Sequence, residues 1–244
     1  MLGKSKLKYI QSLGQKKHRD DERLFVAEGP KIVAELLQDA PGLVSEVYAL
    51  SSWIEGRQDT AVSYAVTEVS EVELARISQL QTPNQVLAVL RQFPVSPVPS
   101  LKGTVALALD TIQDPGNLGT IIRIADWFGI PRIICSHDCA DQYNPKVVQS
   151  TMGSIGRVQV HYTDLPAWLA SQNDVRVYAA ALEGQDISQM NRLSEGVIVI
   201  GNESKGISPA VMEKVNVRIT IMRKGKAESL NAAVATGIIA SHLV

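Results

Sequence analysis

The sequence predicts an α/β protein built from two domains, and three observations support this. Its length of 244 residues suits one large domain or two ordinary ones. Beyond residue 102, apolar stretches such as Val197-Ile198-Val199-Ile200 alternate with helical patterns, which is typical of a parallel sheet covered on both faces. Between the two halves, residues 94–101 carry three prolines, which favour a stiff, extended linker. We therefore predict domains at 1–93 and 102–244.

The first domain has the pattern of a small α/β module with at least four strands. A basic helix is expected at 4–18, followed by a charged turn at 19–23. The remaining elements are predicted from apolar periodicity and from Pro and Gly signals. The strands are expected at 24–27, 44–50, 62–66 and 86–90, and the helices at 30–40 and 72–80.

The second domain alternates strands and helices throughout. The strands are expected at 104–109, 132–135, 157–161, 175–181, 196–200 and 217–222, and the helices near 118–128, 145–152, 164–171, 208–214 and 229–242. Ligands of such sheets bind beyond the carboxyl ends of the strands. The loops that follow the strands are therefore where a functional site is expected.

Charge is balanced overall but unevenly distributed. The net charge is −1, so no global field attracts or repels nucleic acid. Six Lys and Arg residues and no acid lie within 1–19, and a second acid-free basic stretch spans 214–226. Either stretch could bind phosphates or simply form a solvated surface.

The composition also limits the compartment and the metal chemistry. We expect no membrane span, because no segment approaches about 20 apolar residues, and the start lacks the apolar core of a signal peptide. A cytoplasmic, reduced protein is therefore expected. Cys135 and Cys139 bracket His137, but a structural zinc site needs four ligands and no second pair stands at suitable spacing. We expect no bound metal.

The first candidate loop follows the strand at 104–109. Asp114-Pro115-Gly116-Asn117 predicts a turn, with Asn117 as the cap of the next helix. Arg123 is expected to project from that helix, where it could bind phosphate or form an i,i+3 ion pair with Asp126. Gly129 is expected to end the helix.

The second candidate loop, 201–208, follows the strand at 196–200. It resembles a phosphate-binding loop, but Ile207 occupies the lysine position and Glu203 would bring an acid among the phosphates. ATP or GTP binding is therefore disfavoured. Glu203 could orient a ligand or a partner arginine, or form a plain salt bridge. Ser208 and Pro209 are expected to start a helix.

The third candidate loop, 223–231, is basic and leads into a helix of small residues. Ser229 is expected at the helix cap, with Asn231 in the first turn, where amides converge on a ligand. The sequence contains no dinucleotide-binding G-x-G-x-x-G after a strand, no G-x-S-x-G elbow and no H-E-x-x-H. Hydrolase chemistry has no visible nucleophile.

Taken together, the three loops resemble the SpoU (TrmH-type) RNA 2′-O-ribose methyltransferases of the SPOUT superfamily. The resemblance covers roughly 102–244. It rests on three motifs: Asp114 to Arg123 with Phe128-Gly129, then Ile200 to Ser208, then Ile221-Met222 with Glu228 to Gly237. The first domain also resembles the RNA-binding extension of that family, through 25–29 and 81–89.

The resemblance implies a fold, a cofactor and a set of site residues. The second domain would be a SPOUT domain whose C-terminal segment forms a deep trefoil knot, and the protein would be a homodimer. S-adenosylmethionine would be the cofactor and RNA the substrate, with ribosomal RNA preferred over transfer RNA. The implied catalytic residues are Asn117, Arg123, Glu203, Ser229 and Asn231. The implied cofactor-binding residues are Leu182, Gly184, Gly201, Ile221, Met222 and Leu230.

Two other functions remain open from the sequence. A catalytically silent RNA-binding or assembly protein would keep the same fold, although all five polar residues are intact. A small-molecule nucleotide enzyme is disfavoured, because the phosphate-binding motifs are absent.

Overall fold

The computed structural model describes residues 2–56, 64–94 and 101–244. The strands are β1 Leu24–Glu28, β2 Val44–Ala49, β3 Ala65–Glu68, β4 Val86–Arg91, β5 Val105–Asp110, β6 Arg132–Ser136, β7 Gln159–Thr163, β8 Val177–Asp186, β9 Gly196–Gly201 and β10 Val217–Thr220. The helices are α1 Lys4–Ser12, α2 Lys16–Glu22, α3 Pro30–Asp39, α4 Ser51–Glu55, α5 Glu71–Ile77, α6 Pro115–Trp127, α7 Pro145–Thr151, α8 Leu165–Ala170, α9 Pro209–Met212 and α10 Ala232–Leu243.

The chain divides into two compact units, each with its own sheet. The first is the described part of Met1–Pro94 with Tyr143–Gly156, and the second is the described part of Val95–Gln142 with Arg157–Val244. Tyr143–Gly156 joins the first unit because Tyr143, Val148 and Ile155 share one apolar core with Phe25. Most of the predicted linker at 94–101 lies outside the described residues.

The first unit has a four-stranded mixed sheet in the order β1-β4-β2-β3. β4 pairs antiparallel with β1 and β2, and β3 pairs parallel with β2. The strand expected at 62–66 is present as β3, and 62 and 63 lie outside the described residues. Glu28, at the end of β1, is buried and accepts hydrogen bonds from the Ser78 hydroxyl and the Gln79 amide. Burial raises the pKa of this carboxyl group.

The prediction of a single basic helix at 4–18 is wrong, and so is the prediction of a charged turn at 19–23. The chain turns after Ser12, and α2 then includes most of the residues expected to form the turn. The physical reason is Arg19, whose buried guanidinium donates to the carbonyl groups of Leu13 and Gly14 and so stabilises the end of α1. The left-handed backbone of Arg23 ends α2.

The second unit has a six-stranded sheet in the order β10-β8-β9-β5-β6-β7. Every pair is parallel, as predicted. All six residues of β5 are buried and so are the first five of β9, which is expected for a sheet covered on both faces. Consequently β5, β8, β9 and β10 end at one edge of the sheet. The trefoil knot stays a prediction.

Two features of this unit prepare the site at that edge. Helices α6 and α10 pack against each other, with Ile124 3.6 Å from the position that a Cβ on Gly237 would take. The pairing of β8 with β10 shifts register between Arg218 and Ile219, so the middle of β8 does not pair with β10.

Within the described residues, no helix is both long and apolar enough to cross a membrane.

Candidate active site at the carboxyl edge of the second sheet

The three candidate loops follow β5, β9 and β10, which end at the same edge of the second sheet. Their backbones are tied together by polar groups near the sheet. The buried Asp110 carboxylate accepts the Ser208 amide at 2.7 Å, and Asn202 Nδ2 donates to the Thr111 carbonyl oxygen at 2.8 Å. The first two loops are thereby fixed to each other.

Thr111 holds a strained backbone at the start of the first loop. Its φ of +60° is unusual for a β-branched residue. Its amide donates to Ser136 Oγ at 2.9 Å, and its hydroxyl donates to Asp138 Oδ2, also at 2.9 Å. Hydrogen bonds from Ser136 and Thr111 help to lower the pKa of Asp138. Sequence reasoning missed Ser136 and Asp138, because their partner lies 25 or more residues earlier in the chain.

The cap of α6 is Asp114, so the prediction that Asn117 caps this helix is wrong. Asp114 Oδ1 accepts the Asn117 amide at 2.8 Å, and Pro115 occupies the first turn. The helix starts earlier than predicted because proline is favoured at its first position. The Asn117 side chain is therefore available for other partners. Gly129, at φ +69°, follows the end of α6 as expected.

One carboxylate oxygen joins all three loops. Glu203 Oε1 accepts hydrogen bonds from Asn117 Nδ2 at 2.7 Å, from Asn231 Nδ2 at 2.6 Å and from the backbone amide of Ala232 at 3.1 Å. Ala232 is the first residue of α10, so this negative charge lies at the positive end of that helix. We call Asn117, Glu203 and Asn231 the amide–carboxylate hub.

The cap of α10 is Asn231, and the expectation that Ser229 caps this helix is wrong. Asn231 Oδ1 accepts the amides of Ala233 and Val234, and this fixes the helix start three residues later than predicted. Asn231 Nδ2 also donates to Asn117 Oδ1 at 2.9 Å. Both amide hydrogens and both oxygen lone pairs of Asn231 are thus used within the chain. In contrast, Asn117 keeps one N–H for another partner.

Arg123 and Ser229 take no part in the hydrogen bonds of the hub. Both are exposed, and within the described ranges neither side chain has a hydrogen bond or an ion pair. The alternative pairing of Arg123 with Asp126 is wrong, because Asp126 forms its ion pair with Arg157 at 2.9 Å. The structure therefore brings together three of the five predicted catalytic residues and leaves the Arg123 guanidinium in solvent.

Apolar side chains are exposed in the middle of β8 and beyond the end of β10. Leu182 is 78% exposed, Met222 58% and Leu230 45%. The Thr220 hydroxyl donates to the Leu182 carbonyl oxygen at 3.1 Å, which brings the middle of β8 next to the end of β10. Ile221 is half-buried beside Met222. Exposed apolar groups at the mouth of a polar site are suited to an apolar ligand surface.

Two glycines allow close backbone approach around these residues. A Cβ on Gly184 would lie 2.5 Å from the Arg218 carbonyl oxygen, and one on Gly201 would meet the backbone of Gly206 and Ile207 at similar distance. Neither position has room for a side chain. Glycine is therefore required at both positions, where the backbone segments around the edge of the site pack directly against each other.

The cysteine pair lies beneath the first loop. Both thiols are free and buried, and Cys139 Sγ accepts the Ile112 amide at 3.2 Å. Hydrogen bonding, first of all from Cys135, lowers the pKa of Cys139 to about 7. Across the part of the chain that the structure describes, no cluster of three or more His, Cys, Asp or Glu residues could hold a metal ion.

Replacing Glu203 by alanine should destabilise the second unit. The change leaves three N–H donors without their acceptor, and water replaces part of what is lost, so we expect a loss of about 1–2 kcal/mol in the free energy of unfolding. This free energy is measured by urea unfolding, followed by tryptophan fluorescence. Glu213→Ala, at an exposed residue beyond α9, is the control and should change stability by less than about 0.5 kcal/mol. Equal stability of the two variants would contradict the role of the hub.

Family models and proteins of known activity match the sequence of this chain. The model of the SpoU rRNA Methylase family matches residues 104–241, and that of the MRM3-like substrate binding domain matches residues 4–88. The 23S rRNA (guanosine(2553)-2′-O)-methyltransferase RlmP of Bacillus subtilis is 31% identical over 98% of this chain and 95% of its own length. The 23S rRNA (guanosine-2′-O-)-methyltransferase RlmB of Yersinia pestis is 27% identical over 93% of this chain and 86% of its own.

Solved structures are similar to this chain over nearly its whole length. A TrmH-family structure from Porphyromonas gingivalis is 35% identical, with a TM-score of 0.87 over 99% of this chain and 98% of that one. The AdoMet-bound rRNA methyltransferase from Sinorhizobium meliloti is 31% identical, with a TM-score of 0.82 over 99% and 95%. From the sequence motifs, the hub that joins them and these similarities, we conclude that the chain belongs to the SpoU rRNA methylase family.

Proposed function

We propose that this protein is an S-adenosylmethionine-dependent methyltransferase that modifies a ribose 2′-hydroxyl in structured RNA. The observation that carries the proposal is the amide–carboxylate hub, which joins the three family motifs at one sheet edge. Ribosomal RNA is the preferred substrate over transfer RNA, because the relatives from Bacillus subtilis and Yersinia pestis are named as 23S rRNA methyltransferases. With that substrate, we propose the cytoplasm as its compartment.

The residues along this edge of the sheet fit S-adenosylmethionine. Exposed apolar side chains stand in the middle of β8, at Leu182, and after the neighbouring strand β10, at Met222 and Leu230. They can cover an adenine ring and a methionine chain. At Gly184 and Gly201 the neighbouring backbone is too close for any side chain, so main-chain groups are the ones left to contact a ligand there. Ile221 would complete the apolar wall. The Sinorhizobium meliloti relative is named as AdoMet-bound.

The chemistry requires a positioned hydroxyl and a destination for its proton. Bound S-adenosylmethionine supplies a sulfonium methyl group that is open to attack. The ribose 2′-hydroxyl is a weak nucleophile, so it must be aligned and must lose its proton as the new bond forms. The free N–H of Asn117 can donate to the ribose, and Glu203 and Asn231 hold that amide in one orientation. Ser229 is proposed to contact the ribose or the cofactor.

Arg123 is proposed to bind the phosphate next to the target ribose. Its guanidinium is exposed and without a partner within the described ranges, and its planar fork of donors matches a phosphate. Helical side chains lean toward the N-terminus, so the Arg123 side chain leans toward the end of α6 that carries Asn117. A guanidinium is almost never deprotonated in proteins, so Arg123 stabilises the developing alkoxide rather than accepting the proton. The phosphate or water takes the proton.

The test is methyl transfer to RNA by the wild-type chain and by Arg123→Lys. Incubation with labelled S-adenosylmethionine and unmodified ribosomal RNA, followed by nuclease digestion and mass spectrometry, should yield a 2′-O-methyl nucleoside. The lysine variant keeps the charge but loses the fork, so we expect kcat/KM to fall by about 10–100-fold, the range set by one or two charge-assisted hydrogen bonds.

Arg176→Lys is the matched control for this experiment. Arg176 is exposed and precedes β8, at the edge of the sheet opposite the site, so its variant should keep wild-type turnover. Near-normal turnover of Arg123→Lys would contradict the phosphate clamp. Absence of any 2′-O-methyl product from the wild-type chain on both ribosomal and transfer RNA would contradict the proposed function.

We further propose that the protein is a homodimer that associates through α6 and α10. These helices pack together and expose Trp127, which is 83% exposed, and Val234, which is 51% exposed. Large exposed aromatic residues on a surface of small residues are typical of the centres of interfaces. Arg123 lies one helical turn before Trp127, so this interface would border the site.

Trp127→Lys should convert a dimer into a monomer. The change places a strongly hydrated charge at the centre of the proposed interface, and we expect the mass measured by light scattering at micromolar concentration to fall by about half. Val72→Lys, at a residue of α5 that is 63% exposed, is the control and should leave the mass unchanged. A monomeric wild-type chain, or a Trp127→Lys variant that stays dimeric, would contradict this interface.

A further inference from the structure

The loop between β10 and the hub carries charge that the hub chemistry does not use. Every residue from 222 to 230 is exposed. Within it, Arg223, Lys224 and Lys226 are opposed by one acid, Glu228. We call residues 223–228 the basic loop.

The cations of the basic loop are not neutralised by the fold. Elsewhere in the chain, Lys6 is paired with Glu46 and Lys16 with Asp20, both at 2.6 Å. None of the basic loop's three cations has an ion pair with any described residue. A single solvated cation on a protein surface is common. Three cations within four consecutive positions, however, repel one another and create a local positive potential.

The loop is closed by one of its own cations. The Arg223 guanidinium donates from Nη1 to the Ala227 carbonyl oxygen at 3.2 Å. This bond spans the loop and leaves Gly225 at its centre, where a Cβ would meet nothing within 4 Å. Lys224 and Lys226 flank that glycine with free ammonium groups. Arg223 therefore organises the loop, and the two lysines are the groups left to bind a ligand.

The position of the loop selects the kind of ligand. It begins three residues after the end of β10 and is followed by Ser229 and, two residues later, by Asn231 of the hub. Asn231 is the fifth residue after Lys226, so the two Cα atoms are at most about 18 Å apart. Ammonium groups at that distance from a target ribose can contact the phosphates of the same RNA strand. Lysine suits such contacts because it acts as a point charge that does not depend on sequence.

We propose that Lys224 and Lys226 bind backbone phosphates of the substrate RNA beside the target nucleotide. This proposal rests on the proposed function and assigns to the same site a second phosphate-binding surface, distinct from Arg123. Because these contacts hold the strand without touching the reacting atoms, they contribute to RNA affinity and leave the chemical step unchanged.

The experiment compares Lys224→Gln/Lys226→Gln with the wild-type chain. The dissociation constant for a fluorescein-labelled single-stranded RNA of mixed sequence is measured by anisotropy over a series of KCl concentrations. Each lost phosphate contact lowers the slope of log Kd against log salt by about 0.7 for single strands, so the double variant should lose about 1.4. On ribosomal RNA, its KM should rise about tenfold while kcat stays within about twofold.

Lys214→Gln/Arg176→Gln is the charge-matched control. It also removes two exposed cations, but these precede β10 and β8 at the opposite edge of the sheet. Its salt slope should equal that of the wild-type chain. Titration of both double variants with S-adenosylmethionine in the absence of RNA should give the wild-type affinity.

Each other result overturns the proposal in a recognisable way. An unchanged salt slope in Lys224→Gln/Lys226→Gln shows that the lysines contact no phosphate. Loss of S-adenosylmethionine affinity assigns the loop to the cofactor, and a changed mass by light scattering assigns it to a protein contact. If the wild-type chain methylates no RNA, the proposed function has failed, whereas normal methylation with an unchanged slope rejects the basic loop alone.

Discussion

The Glu203 carboxylate is the interaction on which the site depends. One of its oxygens accepts three N–H donors, from Asn117 after β5, Asn231 after β10 and the first amide of α10. A charge in this position stabilises the helix start, and the helix in turn fixes the charge. Three loops that are separated by up to 114 residues are thereby held in one arrangement. The surrounding sheet brings the loops to one edge, and the carboxylate sets their orientation.

This arrangement separates groups that position from groups that remain available. Asn231 uses its full hydrogen-bonding capacity within the chain, where it donates to Asn117 and Glu203 and caps α10. Among the described residues, one N–H of the Asn117 amide and the whole Arg123 guanidinium have no partner. Thr111 supports the same loop from below, and its strained backbone is held by Ser136 and Asp138. The loop that carries Asn117 is thus fixed from both sides before any ligand binds.

The strands and the site loops could be predicted from the sequence, because buried parallel strands are read directly as apolar runs that end in polar turns. Ser208 caps α9 ahead of Pro209, as predicted, but the caps of α6 and α10 could not be predicted. Asn117 and Ser229 are good cap residues, but Asp114 before Pro115 and Asn231 with its two backbone bonds start the helices instead. Contacts between residues far apart in the sequence could not be predicted either. Neither the buried Arg19 that divides the first helix nor Asp138 beneath Thr111 has a local signal, and the grouping of Tyr143–Gly156 with the first unit depends on a core shared across the chain.

A double-mutant cycle between Asn117→Ala and Glu203→Ala tests the central claim most directly. If Glu203 acts by orienting Asn117, the two changes remove one shared interaction, and kcat of the double variant for methyl transfer should equal that of the worse single variant within about threefold. The coupling energy would then exceed about 1 kcal/mol. Effects on kcat that multiply independently, with a coupling energy near zero, would contradict the account.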